Sequence, residues 1–191
     1  MFLYFNMKIK RNLWIWVVIG VIVLVGIIFL SNNLKQQENL MSENQGDTFW
    51  MNTELNDIST GETFKISDFE GKPVLLESFA VWCPTCTKQQ KELKKLHEEV
   101  GDSVVSISLD TDPNEDETKI FAHVNENGFG WYYAVSPIEM TQSLISDFGN
   151  GIINAPSAPM ILICEDGSYR KLGGSGSRSV EVLKEELERG C

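Results

Sequence analysis

Hydrophobic and polar positions follow three rhythms along this chain. Leu13 to Leu30 is an unbroken run of eighteen uncharged residues, just long enough for a helix that crosses a bilayer. Residues 31–46 are polar and aperiodic, which predicts a tether. Beyond residue 46 the two periods of folded structure alternate. Phe49 to Ile66 alternates loosely around Ser59-Thr60-Gly61-Glu62, predicting two short strands and a turn. Val74 to Val81 is an almost continuous apolar stretch, interrupted by Glu77 and Ser78, and reads as a buried strand. Leu93, Leu96 and Val100 then fall on one helical face that stops at Gly101. Strands are expected at residues 104–109 and 131–135, with helices at 118–127 and 138–148. Residues 160–164 and 168–172 form two further strands joined by the turn Glu165-Asp166-Gly167. A last helix starts after Ser179 as N-cap and buries Val180, Leu183 and Leu187. Strands and helices mixed in this way predict an α/β domain over residues 47–191, a central sheet flanked by helices.

Charge sets the topology. Lys8, Lys10 and Arg11 precede the apolar run, so residues 1–12 are expected in the cytoplasm and the rest of the chain outside it. Leu30-Ser31-Asn32-Asn33 lacks a small-x-small cleavage site, which favours an uncleaved signal-anchor helix at residues 13–30 over a signal peptide. The expected location is therefore the cell membrane, single-pass, with the folded domain extracytoplasmic. The formal charge is −11, and residues 31–191 carry all 27 acids but only 13 of the 16 lysines and arginines. That excess excludes nucleic-acid binding, which needs a basic patch to neutralise phosphates. The acidic stretch Asp110-Thr111-Asp112-Pro113-Asn114-Glu115-Asp116-Glu117 lacks the ligand spacing of a calcium loop. It reads as the solvated start of a helix, its acids facing the positive end of the dipole.

The chemistry concentrates in Trp82-Cys83-Pro84-Thr85-Cys86. Two cysteines separated by two residues lie one helical turn apart, close enough for a small disulfide ring. Placed at a helix start, Cys83 meets unpaired backbone N–H groups and the positive end of the macrodipole. That environment favours the thiolate, the nucleophile of disulfide exchange. Pro84 suits the first helical position. Cys83 is thus the expected attacking thiol. Cys86, one turn deeper, is the resolving thiol that attacks Cys83 and releases the substrate. A zinc site would need two more ligands at paired spacing, and the remaining candidates, Cys164, Cys191, His97 and His123, offer none. No cofactor or metal is expected. Both histidines read as surface residues, Cys164 as an inert buried thiol, and Cys191 as exposed, with an internal Cys164–Cys191 pair disfavoured.

A hydrophobic strand running into Phe79-Ala80-Val81-Trp82-Cys83-Pro84-Thr85-Cys86 resembles the active-site motif of the thioredoxin superfamily. Within it the chain is similar to the membrane-anchored TlpA/ResA-like branch and to the thiol-disulfide oxidoreductases of cytochrome c maturation. Residues 64–73 and Ala158-Pro159-Met160 carry the likeness further. The resemblance implies a thioredoxin-like fold with an N-terminal β-hairpin and an added helix–strand insertion. It implies that Pro159 is the family's cis-proline, packed with Ala158 across from the cysteines, and that Glu77, six residues before Cys83, is a buried acid able to move a proton for Cys86. Trp82, Pro84, Thr85 and Ala158 complete the active-site surroundings, Trp82 shielding the disulfide. The activity implied is reduction of disulfides in exported proteins, in cytochrome c maturation among other settings, with a membrane thiol electron donor. Alternatives are an oxidase or isomerase of the same fold, or a copper-delivery module. Against the last, such modules use Cys-x-x-x-Cys, one residue longer. A peroxiredoxin is excluded because Pro-x-x-x-Thr-x-x-Cys is absent.

Overall fold

The computed structural model describes residues 48–191, together with Leu24, Gly26 and Phe29 earlier in the chain. Residues Asp47–Cys191 form one compact unit. The expected cytoplasmic end, anchor helix and tether (residues 1–12, 13–30 and 31–46) lie outside the described residues, apart from those three positions. Among the described residues no helix is long and apolar enough to cross a membrane.

The folded unit opens with a short helix, α1 (Phe49–Asn52), where loose alternation had suggested strand. Trp50 is fully buried there, its ring edge-on to Phe148 and Tyr169. Tertiary packing of one large side chain has overridden a weak local pattern. The expected hairpin follows as β1 (Leu55–Asn56) paired antiparallel with β2 (Thr63–Phe64). The main elements are then β3 (Val74–Phe79), α2 (Pro84–Val100), β4 (Val105–Asp110), α3 (Glu117–Asn127), β5 (Tyr132–Val135), α4 (Ile138–Phe148), β6 (Met160–Ile163), β7 (Tyr169–Lys171) and α5 (Val180–Arg189).

One five-stranded mixed sheet has the order β5-β4-β3-β6-β7. β3, β4 and β5 run parallel, and β6 and β7 are antiparallel additions. β3 is therefore central, and all six of its residues are buried, which explains its almost continuous hydrophobicity. Each face of the sheet carries its own core. On one, Leu75 and Phe79 pack with Leu93 and Leu96 of α2, Ile120 and Val124 of α3, and Leu183 of α5. On the other, Leu76, Ile107 and Ile161 pack with Trp50, Met140 and Leu144. The insertion α3–β5–α4 thus spans both layers. Gly101, at φ 58°, ends α2, a left-handed turn that a residue with Cβ adopts only at a cost.

Candidate active site

Cys83 and Cys86 sit where central β3 hands over to α2. Cys83 is the N-cap of α2, Pro84 its first helical residue, and the Cys86 N–H donates to Cys83 Sγ at 3.2 Å. The Cys86 thiol donates to the Ala155 carbonyl at 3.1 Å. Both thiols are free and both residues are fully buried, so the outer cysteine differs from the inner by its cap position and not by exposure. Pro84 is exposed and Thr85 half-buried. Trp82 is 57% exposed and donates its indole N–H to Asp112.

Glu77 lies mid-strand in β3, opposite Ser108 of β4 and Met160 of β6. Its Oε2 accepts the Ser108 hydroxyl at 3.1 Å, and Ser108 in turn accepts the Trp131 indole N–H at 3.0 Å. Burial pushes the Glu77 carboxyl up to about 8, against the weaker pull of Gln90, Ser108 and the Arg178 guanidinium. Desolvation also raises the Cys86 thiol well above its ordinary value, with Cys83 and the Glu77 charge adding to it. Glu77 and Cys86 are thus electrostatically coupled: each resists charging while the other is charged. Gln90 sits between Glu77 and His123. Its Oε1 accepts from the imidazole Nε2 of His123 at 2.7 Å, while its Nε2 and Glu77 Oε1 are left unpaired.

Pro159 is buried at the start of β6, and its carbonyl accepts the Ser78 N–H. The expected cis bond is absent: no peptide among the described residues is cis. Instead Ala158 takes φ 46°, ψ 59°, closing the turn Ala155–Ser157 with its N–H on Ala155 O. Ala158 is the one non-glycine residue with positive φ among the described residues. That is an uncommon conformation for a side chain with Cβ, and doubly so before proline.

Four further corrections concern residues read as bystanders. His123 is buried, stacked on Phe79 and bonded to Gln90, and desolvation lowers its pKa. His97 is half-buried, stacked on Trp131 and bonded to Ser106. Cys164 and Cys191 form a disulfide with Cα atoms 6.0 Å apart. Cys164 lies just past the end of β6 and is only partly buried, and the residues after α5 return the terminus to it. The acidic loop between β4 and α3 is also more than a solvated helix start. Asp116 caps α3 as expected, accepting the Lys119 N–H. Upstream of it, however, Glu115 accepts the Val81 N–H at 2.6 Å and Asp112 accepts the Trp82 indole N–H. Two carboxylates therefore hold the turn that delivers Cys83.

Arg178 escaped the sequence reading altogether. It is buried, and its guanidinium donates to the carbonyls of Ala158, Leu172 and Gly173. Gln89 of α2 exchanges hydrogen bonds with its backbone N–H and C=O. No pattern marks Arg178, but Gln89 and Gln90 stand four and three residues before Leu93, on the apolar stripe of α2. That placement signals an internal polar network. Among the described residues no cluster of three or more histidine, cysteine or acidic side chains is arranged to hold a metal ion.

A family model described as Redoxin matches residues 44–184. The chain is 27% identical over 144 residues to thiol-disulfide oxidoreductase ResA of Halalkalibacterium halodurans, covering 72% of this chain and 74% of that protein. Among solved structures it is similar to a secreted Mycobacterium tuberculosis disulfide oxidoreductase homologous to E. coli DsbE, with TM-score 0.55 and 16% identity over 75% of this chain and 98% of that one. StoA from Bacillus subtilis matches with TM-score 0.54 and 20% identity over 70% of this chain and 93% of that one. Those structural likenesses identify the fold as thioredoxin-like.

Proposed function

The chain belongs to the Redoxin family and is a thioredoxin-superfamily, ResA-like thiol-disulfide oxidoreductase, and on that premise we propose that it is a membrane-tethered reductant of disulfides in exported proteins, working through Cys83 and Cys86. The buried pair of Glu77 and Cys86 carries this reading. Cys83 attacks a substrate disulfide, one substrate sulfur leaves as a thiol, and a mixed disulfide forms on Cys83. Cys86 then displaces the second substrate sulfur and closes the Cys83–Cys86 bond. Two electrons pass to the substrate, and the protons of both cysteines follow. Cys86 holds its proton tightly, so closure needs a base at hand, and Glu77, titrating near 8, is matched to that work. A strong oxidant works the other way, by stabilising its reduced form. Here burial above all raises the cost of a Cys86 thiolate, so no ionised inner thiol stabilises the reduced form in the way a strong oxidant requires.

The Cys164–Cys191 disulfide supports an oxidising compartment, where such bonds persist. With the basic flank and apolar run of residues 8–30, it favours an extracytoplasmic domain on a single N-terminal anchor. A reductant in that setting must be recharged, so a membrane thiol electron donor is the implied partner. Exported proteins with vicinal cysteines, apocytochromes c included, are the substrate class. Equilibration with glutathione tests the direction. The expected potential lies nearer about −270 mV than about −120 mV, a separation of roughly 7 kcal/mol for two electrons, and a value above about −180 mV would move the protein to the oxidases or isomerases.

A further inference from the structure

Arg178 carries a positive charge into the core without a carboxylate to pair it. The residue is 8% exposed, and among the described residues no acidic side chain lies within ion-pair distance of it. Its guanidinium is held by carbonyls instead: Gly173 O at 2.8 Å, Ala158 O at 3.0 Å and Leu172 O at 3.3 Å. Burying a cation is costly, and a neutral donor could serve carbonyl oxygens alone. The charge calls for a role of its own.

One end of that role is the turn before Pro159. Ala155 O accepts both the Cys86 thiol, at 3.1 Å, and the Ala158 N–H. Cys86 and Arg178 therefore hold the same short turn from its two ends. Ala158 sits there at φ 46°, a conformation that a residue with Cβ adopts at a cost, and the bond from Arg178 to its carbonyl helps to keep it so. The Gly176 N–H donates to Ser157 O at 2.9 Å and ties the same two segments through the backbone.

The other end is Glu77. The turn runs directly into β6, where Met160 pairs with Glu77 and Pro159 O accepts the Ser78 N–H. Consecutive residues of α2 attend the two charges: Gln89 exchanges hydrogen bonds with the Arg178 backbone, and Gln90 lies beside Glu77. Burial raises the Glu77 carboxyl, and the Arg178 charge pulls against it after Gln90 and Ser108. Burial likewise lowers Arg178, with the charges of Glu186 and Glu77 opposing that. The other groups that feel the Glu77 charge are Cys86 on α2 and Tyr133 on β5, both raised first by burial. His123 on α3 feels Glu115 and Glu126. Arg178 is thus the permanent positive charge of the set.

We infer that Arg178 is a positioning residue for closure of the Cys83–Cys86 bond: its guanidinium fixes the turn that receives the Cys86 thiol, and its charge stabilises the Glu77 carboxylate that takes the Cys86 proton. The inference rests on Glu77 and the two cysteines acting as proposed above. In closure the Cys86 proton passes to Glu77 and the Cys86 sulfur bonds to Cys83 Sγ. The bond from Cys83 to the substrate sulfur breaks, and the substrate leaves as a thiolate with the electron pair. Glu77 must release its proton before the next closure, and a nearby guanidinium favours that release.

The test uses the full chain and an apolar, fluorophore-labelled peptide disulfide, with stopped-flow traces that separate attack by Cys83 from closure by Cys86 at several pH values. Arg178→Met should slow closure about tenfold near pH 7, change attack by less than about twofold, and raise the pH midpoint of closure by about half a unit. Arg178→Lys keeps the charge but not the planar fork, so the midpoint should return while the rate recovers only in part. In the reduced chain the Cys86 S–H stretching band, assigned with Cys83→Ser, should move to higher frequency in Arg178→Met as its Ala155 acceptor shifts. Equal slowing of both steps, with midpoint and S–H band unmoved, would overturn the inference and leave Arg178 a residue of stability alone. A midpoint that rises as far in Arg178→Lys as in Arg178→Met would overturn it too. Should Arg178→Met fail to fold, nitrogen NMR of the parent decides. The Arg178 side-chain signals should titrate with Glu77, near pH 8, and lose that step in Glu77→Gln; signals that stay still would overturn the inference. A parent chain that forms no mixed disulfide would remove the proposed function, whereas the NMR titration would still uphold or overturn the coupling of Arg178 to Glu77.

Discussion

Glu77 shows how one side chain can be both legible and costly. Its place six residues before Cys83 drew attention in the sequence, and the structure adds what spacing does not show, a carboxyl with one oxygen on Ser108 and the other unpaired. In the fold it keeps its proton up to about pH 8, whereas an ordinary glutamate releases it near 4.5. Between those values the folded state binds more protons than the unfolded one, so stability is greatest below about pH 4.5 and is lost as pH rises toward 8. The full shift corresponds to roughly 5 kcal/mol as an order of magnitude. Asp110, raised from 3.8 to about 7, adds a loss of the same sign at slightly lower pH. Urea midpoints of the reduced protein should therefore fall from pH 5 to pH 8, and fall less in Glu77→Gln. Identical slopes would mean that the carboxyl is solvated. In stopped-flow assays the same variant should slow release of the mixed disulfide and spare the initial attack. Equal slowing of both steps would assign Glu77 to Cys83 or to stability. Ala158 is the opposite case. Its left-handed backbone was invisible because alanine carries no preference for it. It is held by the Ala155 carbonyl before it and by Arg178 on its own carbonyl.

At the level of elements, the strands and helices of the core could be read because their periodicity is strong, and Ile138–Phe148 falls where the pattern put it. Contacts between elements could not. Ser179 stands at the N-cap of α5 as expected, but its side chain caps nothing; Glu92 of α2 accepts the Val180 N–H in its place. The loop between β4 and α3 teaches the same lesson. Its acids looked solvated because their partners, Val81 and Trp82, are thirty or more residues away. Glu115→Ala should leave the Val81 N–H without its acceptor and cost about 1 kcal/mol. It should also slow the reaction of Cys83 with an uncharged disulfide. Glu115→Gln keeps an acceptor oxygen in place and should restore both. If alanine and glutamine behave alike, the charge of the loop matters and the hydrogen bond does not.

For the whole molecule, the unread feature was the closure of its C-terminus. Two distant cysteines carry no spacing signal, and pairing them required knowing that Cys164 lies beyond the buried part of β6. The bridge spans 27 residues, including β7 and α5, and on chain entropy such a loop is worth roughly 3.5 kcal/mol. Cys191→Ser should lower the unfolding free energy by about that amount under oxidising conditions and have little effect once the bridge is reduced. A variant as stable as the parent would show that α5 is held by packing and by Arg170, which reaches Gly190 O and Glu186.

Trapping bears most directly on the division of labour between the two thiols. The reduced Cys86→Ala chain, offered an oxidised protein substrate, should accumulate a mixed disulfide that maps to Cys83 by mass spectrometry, and Cys83→Ala should accumulate none. An adduct on Cys86 in the Cys83→Ala chain, at a comparable rate, would contradict the assignment of nucleophile and resolver and the exchange mechanism built on it.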